Sequence, residues 1–158
     1  MTAYARQPHI LVVDDTQESR ELMQALLAGE GYRVTTSPAL LDIAQIKALA
    51  PDILVQDIPF EHSQERGWTL LSLLRLDPEL ARLPVVLCTT AVRTVRQPEL
   101  AAQLERLGVR VVLKPFALDA LLGALTEALA NRTTTEQQHF LSTLLRDVET
   151  GAKAQPAA

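Results

Sequence analysis

The sequence has almost no cysteine, and this absence removes whole classes of protein. Its 158 residues contain one cysteine, Cys88. A single cysteine cannot form an internal disulfide bond, and it cannot supply a cysteine-rich zinc site. A reducing, cytoplasmic compartment therefore fits the composition.

The sequence also has no excess of positive charge and no long apolar run. Lysine and arginine number 15 against 19 acidic residues, which gives a net charge of -4. We therefore expect no direct contact with nucleic acid or with an anionic membrane surface. No apolar segment is long enough to span a bilayer, and residues 1–8 lack the apolar core of a signal peptide. These features predict a cytoplasmic protein that begins with a flexible arm over residues 1–8.

What the sequence does contain is an alternation of strand and helix patterns, repeated five times within residues 9–131. The predicted strands are HILVV, YRVTT, DILVQ, PVVLCTT and VRVVL. A helical pattern follows each of them, and Ser37 before Pro38 predicts the start of the second helix. Strand–helix repeats of this kind predict an α/β fold with a doubly wound, five-stranded parallel sheet.

A different pattern follows residue 131. Thr133 and Glu136 have the spacing of a capping box. An apolar stripe then recurs at helical spacing over residues 140–148. The sequence therefore predicts an α/β domain over residues 9–131, an additional amphipathic helix over 132–149 and a disordered tail over 150–158.

Charged and hydroxyl side chains stand where the predicted strands end. Asp14 and Asp15 end the first strand, Asp57 the third, Thr89 the fourth, and Lys114 follows the fifth. In an open parallel sheet, functional groups gather beyond the carboxyl ends of the strands. If the strand order is 2-1-3-4-5, the first and third strands are neighbours, and the three carboxylates are expected to converge.

Such a cluster of carboxylates predicts a magnesium site that accepts a phosphoryl group. Converging negative charges need a cation, and oxygen ligands without histidine or cysteine favour Mg²⁺. One carboxylate can then attack phosphorus while the lysine and threonine stabilise the phosphoryl oxygens. An alternative stays open for the pair Asp14 and Asp15, because aspartate also favours the N-cap of a helix.

Four segments of the sequence resemble the receiver domain of two-component response regulators, the CheY-like family. They are ILVVDDTQESRELMQALLAGEGYRV, PDILVQDI, LLRLDPELARLPVVLCTT and VVLKPF, and the resemblance extends from residue 9 to about residue 130. It implies the strand order 2-1-3-4-5. It also implies a signalling domain rather than an enzyme. Such a domain takes a phosphoryl group from a histidine kinase or phosphotransfer protein, and it assists its own phosphotransfer and dephosphorylation.

The resemblance also implies a role for each site residue. Asp57 is the implied phosphoacceptor, Thr89 the hydroxyl that bonds the phosphoryl group, and Lys114 the partner of a phosphoryl oxygen. The implied Mg²⁺ ligands are Asp14, Asp15, Asp57 and the backbone carbonyl of Pro59.

The sequence departs from the family pattern at several positions around this site. Glu61 replaces the proline usually found four positions after the acceptor, and Gly67 comes about two residues late. Pro59 itself lies where the family controls the access of water to the phosphate. Thr90 replaces an alanine after the switch threonine, and Val111 replaces the switch aromatic. The five chemical residues themselves match the family pattern, so the acceptor chemistry is expected to be intact, whereas the coupling of the threonine to an aromatic residue is not expected to operate in its usual form.

Several functions remain as alternatives. The segment after residue 131 is too short for a DNA-binding domain, so output is expected through protein contacts, including a homodimer formed by the fourth and fifth predicted helices or by the additional helix. A pseudo-receiver that works without phosphorylation is the main alternative. A haloacid-dehalogenase-like phosphatase would need Asp-x-Asp after the first strand, and a flavodoxin-like protein would need a hydroxyl-rich loop there.

Overall fold

The computed structural model describes residues 6–57, 69–90, 92–115 and 117–130. The strands are β1 (His9–Asp14), β2 (Arg33–Ser37), β3 (Ile53–Asp57), β4 (Val85–Thr89) and β5 (Val109–Leu113). The helices are α1 (Gln17–Gly29), α2 (Ile43–Leu49), α3 (69–76), α4 (Val92–Val95), α5 (Pro98–Arg106) and α6 (118–130).

The five strands form one parallel sheet in the order β2-β1-β3-β4-β5. Every residue of β1 is buried, because this strand has neighbours on both sides and helices above and below. The predicted fold class and strand order are therefore confirmed.

Two apolar clusters cover the two faces of the sheet. Successive residues of a strand point to opposite faces, so Leu54 belongs to one cluster and the adjacent Ile53 and Val55 to the other. Side chains of α2, α3 and α5 complete the first cluster, and side chains of α1 and α6 complete the second. This double cover holds the strand ends, and the polar residues on them, in fixed positions.

The predicted start of the second helix is wrong. Ser37 is the last residue of β2, and its hydroxyl donates to the carbonyl of Ala39 at 2.7 Å. The helix begins after Asp42, whose carboxylate accepts from the backbone N–H of Gln45 at 2.8 Å, while the Gln45 side chain accepts from the Asp42 N–H at 3.0 Å. This reciprocal capping box satisfies two backbone donors, which the single hydroxyl of Ser37 cannot do.

The remaining element predictions agree with the structure within a residue or two where it describes them. The helical residues 118–130 and the bounds of β5 are those expected, and the short α4 was not predicted. The additional helix over 132–149, the tail over 150–158 and the first five residues of the arm lie outside the described residues. No helix within the described ranges is long and apolar enough to cross a membrane.

Candidate functional site

The carboxyl edge of the sheet brings four of the predicted site residues together. Asp14 and Asp57 are register partners at the ends of β1 and β3. Thr89 ends β4, and its carbonyl accepts a hydrogen bond of 2.8 Å from the backbone N–H of Lys114. The strand order thus places Thr89 and Lys114 at the same edge of the sheet as Asp14 and Asp57.

The ammonium of Lys114 donates a hydrogen bond directly to Oδ2 of Asp57. The two side chains are 27% and 13% exposed, so the ion pair is shielded from water on most sides. Because the lysine is held against a half-buried carboxylate, its positive charge lies close to any group that becomes attached to a carboxylate oxygen. The pair therefore defines the centre of the candidate site.

Asp14 is a buried carboxylate with one unsatisfied oxygen. The residue is 2% exposed, and its Oδ1 accepts from the backbone N–H of Thr16 at 2.9 Å. Its backbone carbonyl accepts from the guanidinium of Arg20 at 2.8 Å. Its Oδ2 has no hydrogen-bond donor among the described residues. A buried oxygen of this kind is costly to the fold, so its position calls for a functional explanation.

The environment of Asp57 favours its neutral form. The pKa of this carboxyl is raised to about 6: burial is the largest cause, the ammonium of Lys114 opposes it, and the carboxyl of Asp14 acts in the same direction as burial. Two carboxylates can bond to each other only by sharing a proton, which is why Asp14 acts in this direction. The site thus contains more negative charge than its one ammonium offsets.

Asp15 does not join the other two carboxylates. Its side chain is exposed, and its Oδ1 accepts from the hydroxyl of Thr16 at 3.3 Å. Across the described ranges, no three histidine, cysteine or acidic side chains are grouped closely enough to hold a metal ion. The predicted convergence of three carboxylates is therefore not observed, because Asp15 faces water while Asp14 and Asp57 face each other.

The helix-cap alternative for the aspartate pair also finds little support. The N-cap of α1 is Thr16, and no side chain caps it. The described contacts of Asp14 and Asp15 include no backbone N–H of α1 itself. The pair is therefore not explained by capping of the helix that follows it.

The oxygens that are present fit Mg²⁺. Hard divalent cations prefer carboxylate oxygens, and the unsatisfied Oδ2 of Asp14 lies on a residue whose carboxyl faces that of Asp57. A cation shared by these groups would offset the excess of negative charge. Of the residues implied by the family resemblance, Pro59, Glu61 and Gly67 lie outside the described residues.

The positions that depart from the family pattern differ in their surroundings. Thr89 is 5% exposed, whereas Thr90 beside it is exposed. Val111 is half-buried and packs against the apolar cluster that contains Leu87, its register partner. Cys88 is fully buried on the opposite face, and burial together with the charge of Asp57 raises the pKa of its thiol to about 12.

Two residues near the site were not singled out from the sequence. Arg20 fixes the carbonyl of Asp14 from the second turn of α1. Gln56 precedes Asp57, is 4% exposed and has a side-chain oxygen without a partner among the described residues. Gln56 is the only uncharged polar residue in β3, and that exception to an apolar strand was the available signal.

Comparison with protein families shows one match that covers most of the chain. Residues 10–126 match the family described as the response regulator receiver domain. Among curated proteins, Protein RcaC of Microchaete diplosiphon is 37% identical over 81 residues, which are 49% of this chain and 12% of RcaC. Two-component response regulator ORR8 of Oryza sativa subsp. indica is 29% identical over 83 residues, 52% of this chain and 69% of ORR8.

Solved structures show the same fold. Chemotaxis protein CheY4 of Vibrio cholerae superposes with a TM-score of 0.62 at 22% identity, over 77% of this chain and 98% of CheY4. NtrX of Brucella abortus gives a TM-score of 0.66 at 28% identity, over 85% of this chain and 29% of NtrX. This chain therefore spans a small part of some relatives and nearly all of others.

Proposed function

The chain belongs to the response regulator receiver family, and we propose that Asp57 accepts a phosphoryl group from a phosphohistidine of a histidine kinase or phosphotransfer protein. The observation that carries this proposal is the bond from Lys114 to Asp57 beside the unsatisfied carboxylate oxygen of Asp14. It combines a nucleophile, a fixed ammonium and an oxygen ligand at one edge of the sheet.

In the proposed reaction, the residues of the chain position the nucleophile and neutralise charge. A carboxylate oxygen of Asp57 attacks phosphorus, the phosphorus–nitrogen bond to the donor imidazole breaks, and the imidazole leaves with that electron pair and takes up a proton. Lys114, already bonded to Oδ2 of Asp57, then bonds a phosphoryl oxygen. We assign the hydroxyl of Thr89 to a second phosphoryl oxygen.

We also propose that the site binds Mg²⁺, which would supply electrostatic stabilisation of the phosphoryl oxygens. The proposed ligands are Asp14, Asp15, Asp57 and the backbone carbonyl of Pro59. The unsatisfied Oδ2 of Asp14 supports this assignment. Asp15 would bind the metal directly after rotation of its exposed side chain, which would break one long hydrogen bond to Thr16, and Asp14 would bind it mainly through water.

We propose that the signal leaves the domain through protein contacts. The proposed surfaces are α5 and α6, as a homodimer or with a partner, and the predicted helix over residues 132–149. One observation favours a second candidate, a pseudo-receiver that works without phosphorylation. The position of the usual switch aromatic holds Val111, which is half-buried in the apolar cluster and has no ring that could move toward Thr89.

Beryllofluoride, a stable mimic of the phosphoryl group, separates these two functions. We expect ¹⁹F NMR to detect Mg²⁺-dependent binding of beryllofluoride to the protein, and we expect Asp57→Asn and Lys114→Met to abolish it. Glu30→Gln, an exposed change at the far end of α1, is the matched control and should bind as the original protein does. Absence of Mg²⁺-dependent binding to the folded, unmutated protein would favour the pseudo-receiver.

A further inference from the structure

A cavity at the opposite edge of the sheet carries a concentration of arginine. It lies beside the amino ends of β4 and β5, away from the carboxyl edge that holds Asp57, and its volume is about 590 Å³. Among the described residues, four arginines from different parts of the chain line it: Arg75, Arg82, Arg106 and Arg110. Cavities of this size hold small organic ligands.

Arg75 builds one wall of the cavity. Its Nε donates to the carbonyl of Leu107 at 2.6 Å, and its Nη1 donates to the carbonyls of Leu83 at 2.8 Å and Ala81 at 3.3 Å. Burial lowers the pKa of this guanidinium, and its described partners are carbonyl oxygens rather than a carboxylate. Its positive charge is thus held in place by dipoles and is not cancelled by an anion.

The other three arginines differ in how far they are neutralised. Arg110 pairs with Glu127 at 2.6 Å, so its charge is largely offset. Arg82 is half-buried and Arg106 is exposed, and neither makes an ion pair with the described residues. Among the described residues that line the cavity, the one carboxylate is that of Glu105. The charge of the cavity is therefore positive, in a chain whose net charge is -4.

The remaining lining residues of the cavity are apolar. Pro84, Leu107, Val109 and Ala128 contribute, and Leu83 is 3% exposed. Free carbonyls at the carboxyl end of α5 would repel an anion. The Leu107 carbonyl repels it less, because this carbonyl already accepts a hydrogen bond from the positively charged Arg75. A ligand that suits this lining combines a negatively charged head with an apolar or aromatic body.

We propose that this cavity binds a small organic phosphate, with Arg82 and Arg106 as the principal contacts of its phosphate group. Arginine forms paired, charge-assisted hydrogen bonds with phosphate oxygens, which is the geometry that two unpaired guanidinium groups can offer. Arg75 acts as a positioning residue that fixes the wall. The proposal is independent of phosphorylation at Asp57, which lies at the other edge of the sheet.

AMP is the probe, and adenosine is its neutral counterpart. The ligands are titrated into ¹⁵N-labelled protein with EDTA present, so that no metal site competes, and again into Asp57→Asn. We expect saturable shifts of the amide signals of Gly108, Arg82 and Val109 with AMP, the same in both proteins, and no saturable shift with adenosine. Arg82→Gln and Arg106→Gln should each weaken AMP binding about tenfold, because each removes a charged hydrogen-bonding group.

Arg93→Gln is the matched control, since Arg93 is an exposed arginine outside the cavity. It should bind AMP as the original protein does. The variants at positions 82 and 106 must keep the far-ultraviolet circular dichroism of the original protein. The proposal is overturned if AMP gives no saturable shift, if adenosine binds equally well, or if Arg93→Gln weakens binding as much as the cavity variants do.

Discussion

The two edges of the sheet differ in how completely their buried polar groups are hydrogen-bonded. At the carboxyl edge, Asp14 keeps a buried oxygen without a partner, and the pKa of Asp57 is raised to about 6. At the amino edge, His9 uses its backbone N–H and both ring nitrogens, and Arg75 donates three hydrogen bonds to carbonyls. Among the described residues, the buried carboxylate Asp14 thus keeps an unsatisfied oxygen at one edge, whereas His9 and Arg75 have their hydrogen-bond partners at the other.

The difference between the two edges indicates which polar groups stabilise the fold and which are available to bind ligands. Satisfied buried groups hold the strands in register, and their loss should destabilise the domain. Unsatisfied groups are costly until something binds them, and this cost supports the proposal that the carboxyl edge binds a cation and a phosphoryl group. Substitutions at the amino edge should therefore change stability most, and those at the carboxyl edge should change the response to pH and to ligands.

The largest loss of stability is expected for Arg75→Met. The substitution keeps much of the side-chain volume but leaves the carbonyls of Leu107, Ala81 and Leu83 without their donor. We expect the free energy of unfolding in urea to fall by about 3 kcal/mol. Arg93→Met, at an exposed position, is the control and should change it little. If the two changes lower the free energy of unfolding equally, the hydrogen bonds of Arg75 do not stabilise the amino edge.

The second effect concerns pH and Asp57. Because burial raises the pKa of Asp57 to about 6 from an ordinary value of 3.8, the folded state holds a proton that the unfolded state has released. This contribution to stability is complete below pH 3.8 and is lost as the pH rises through about 6. Urea unfolding in EDTA should show that Asp57→Asn removes a contribution on the order of 3 kcal/mol between these limits. An unchanged pH profile in Asp57→Asn would contradict the assigned environment.

His9 should give a smaller pH dependence of the opposite sign. Arginine only donates, so Arg33 donates to Nδ1 of His9 at 3.1 Å, and the proton on Nε2 is donated to the hydroxyl of Thr35 at 2.7 Å. Burial and then the charge of Arg33 lower the pKa of His9, with Asp52 opposing them. Stability due to neutral His9 is therefore present above pH 6.5 and is lost as the pH falls through the lowered pKa.

The slope from one such group is at most about 1.4 kcal/mol per pH unit. It should be measured in the Asp57→Asn protein, where the opposing titration of Asp57 is absent. His9→Gln in that background should flatten the profile below pH 6.5. A profile that keeps its slope after this change would place the titrating group elsewhere.

The smallest effect is expected for Arg6→Ala. Arg6 pairs with Asp52 at 3.4 Å, but its side chain is 75% exposed, and exposed ion pairs contribute little. We expect the free energy of unfolding to fall by less than about 0.5 kcal/mol. Asp52→Ala should cost more, because it also removes the acceptor of the backbone N–H of His9, a hydrogen bond of 2.7 Å. A larger loss of stability for Arg6→Ala than for the change at Asp52 would contradict the view that buried hydrogen bonds stabilise this edge.

The sequence was sufficient to predict the sheet and most of the carboxyl edge. Strand ends can be read from the run of apolar residues, and parallel strands bring their ends to one edge, so Asp14, Asp57, Thr89 and Lys114 were predicted to meet. The start of α2 was missed because two capping signals compete there, and the reciprocal box of Asp42 and Gln45 outweighs Ser37.

Side-chain orientation and long-range pairing were beyond the sequence patterns. Whether Asp15 turns toward Asp57 or toward Thr16 depends on a rotamer, and spacing does not determine it. The bonds of Arg75 join residues that lie up to 32 positions apart. Neither the local propensity nor the periodicity of α3 contains information about such partners.

The central claim is that Asp57 is a working phosphoacceptor, and its most direct measurement is the site of modification by acetyl phosphate. The protein is treated with acetyl phosphate with and without Mg²⁺, and intact mass and peptide mapping locate any added phosphoryl group. We predict one phosphoryl group on Asp57 that requires Mg²⁺ and is absent in Asp57→Asn. A folded protein that gains none, or gains it on another residue while Asp57 stays unmodified, would contradict the claim.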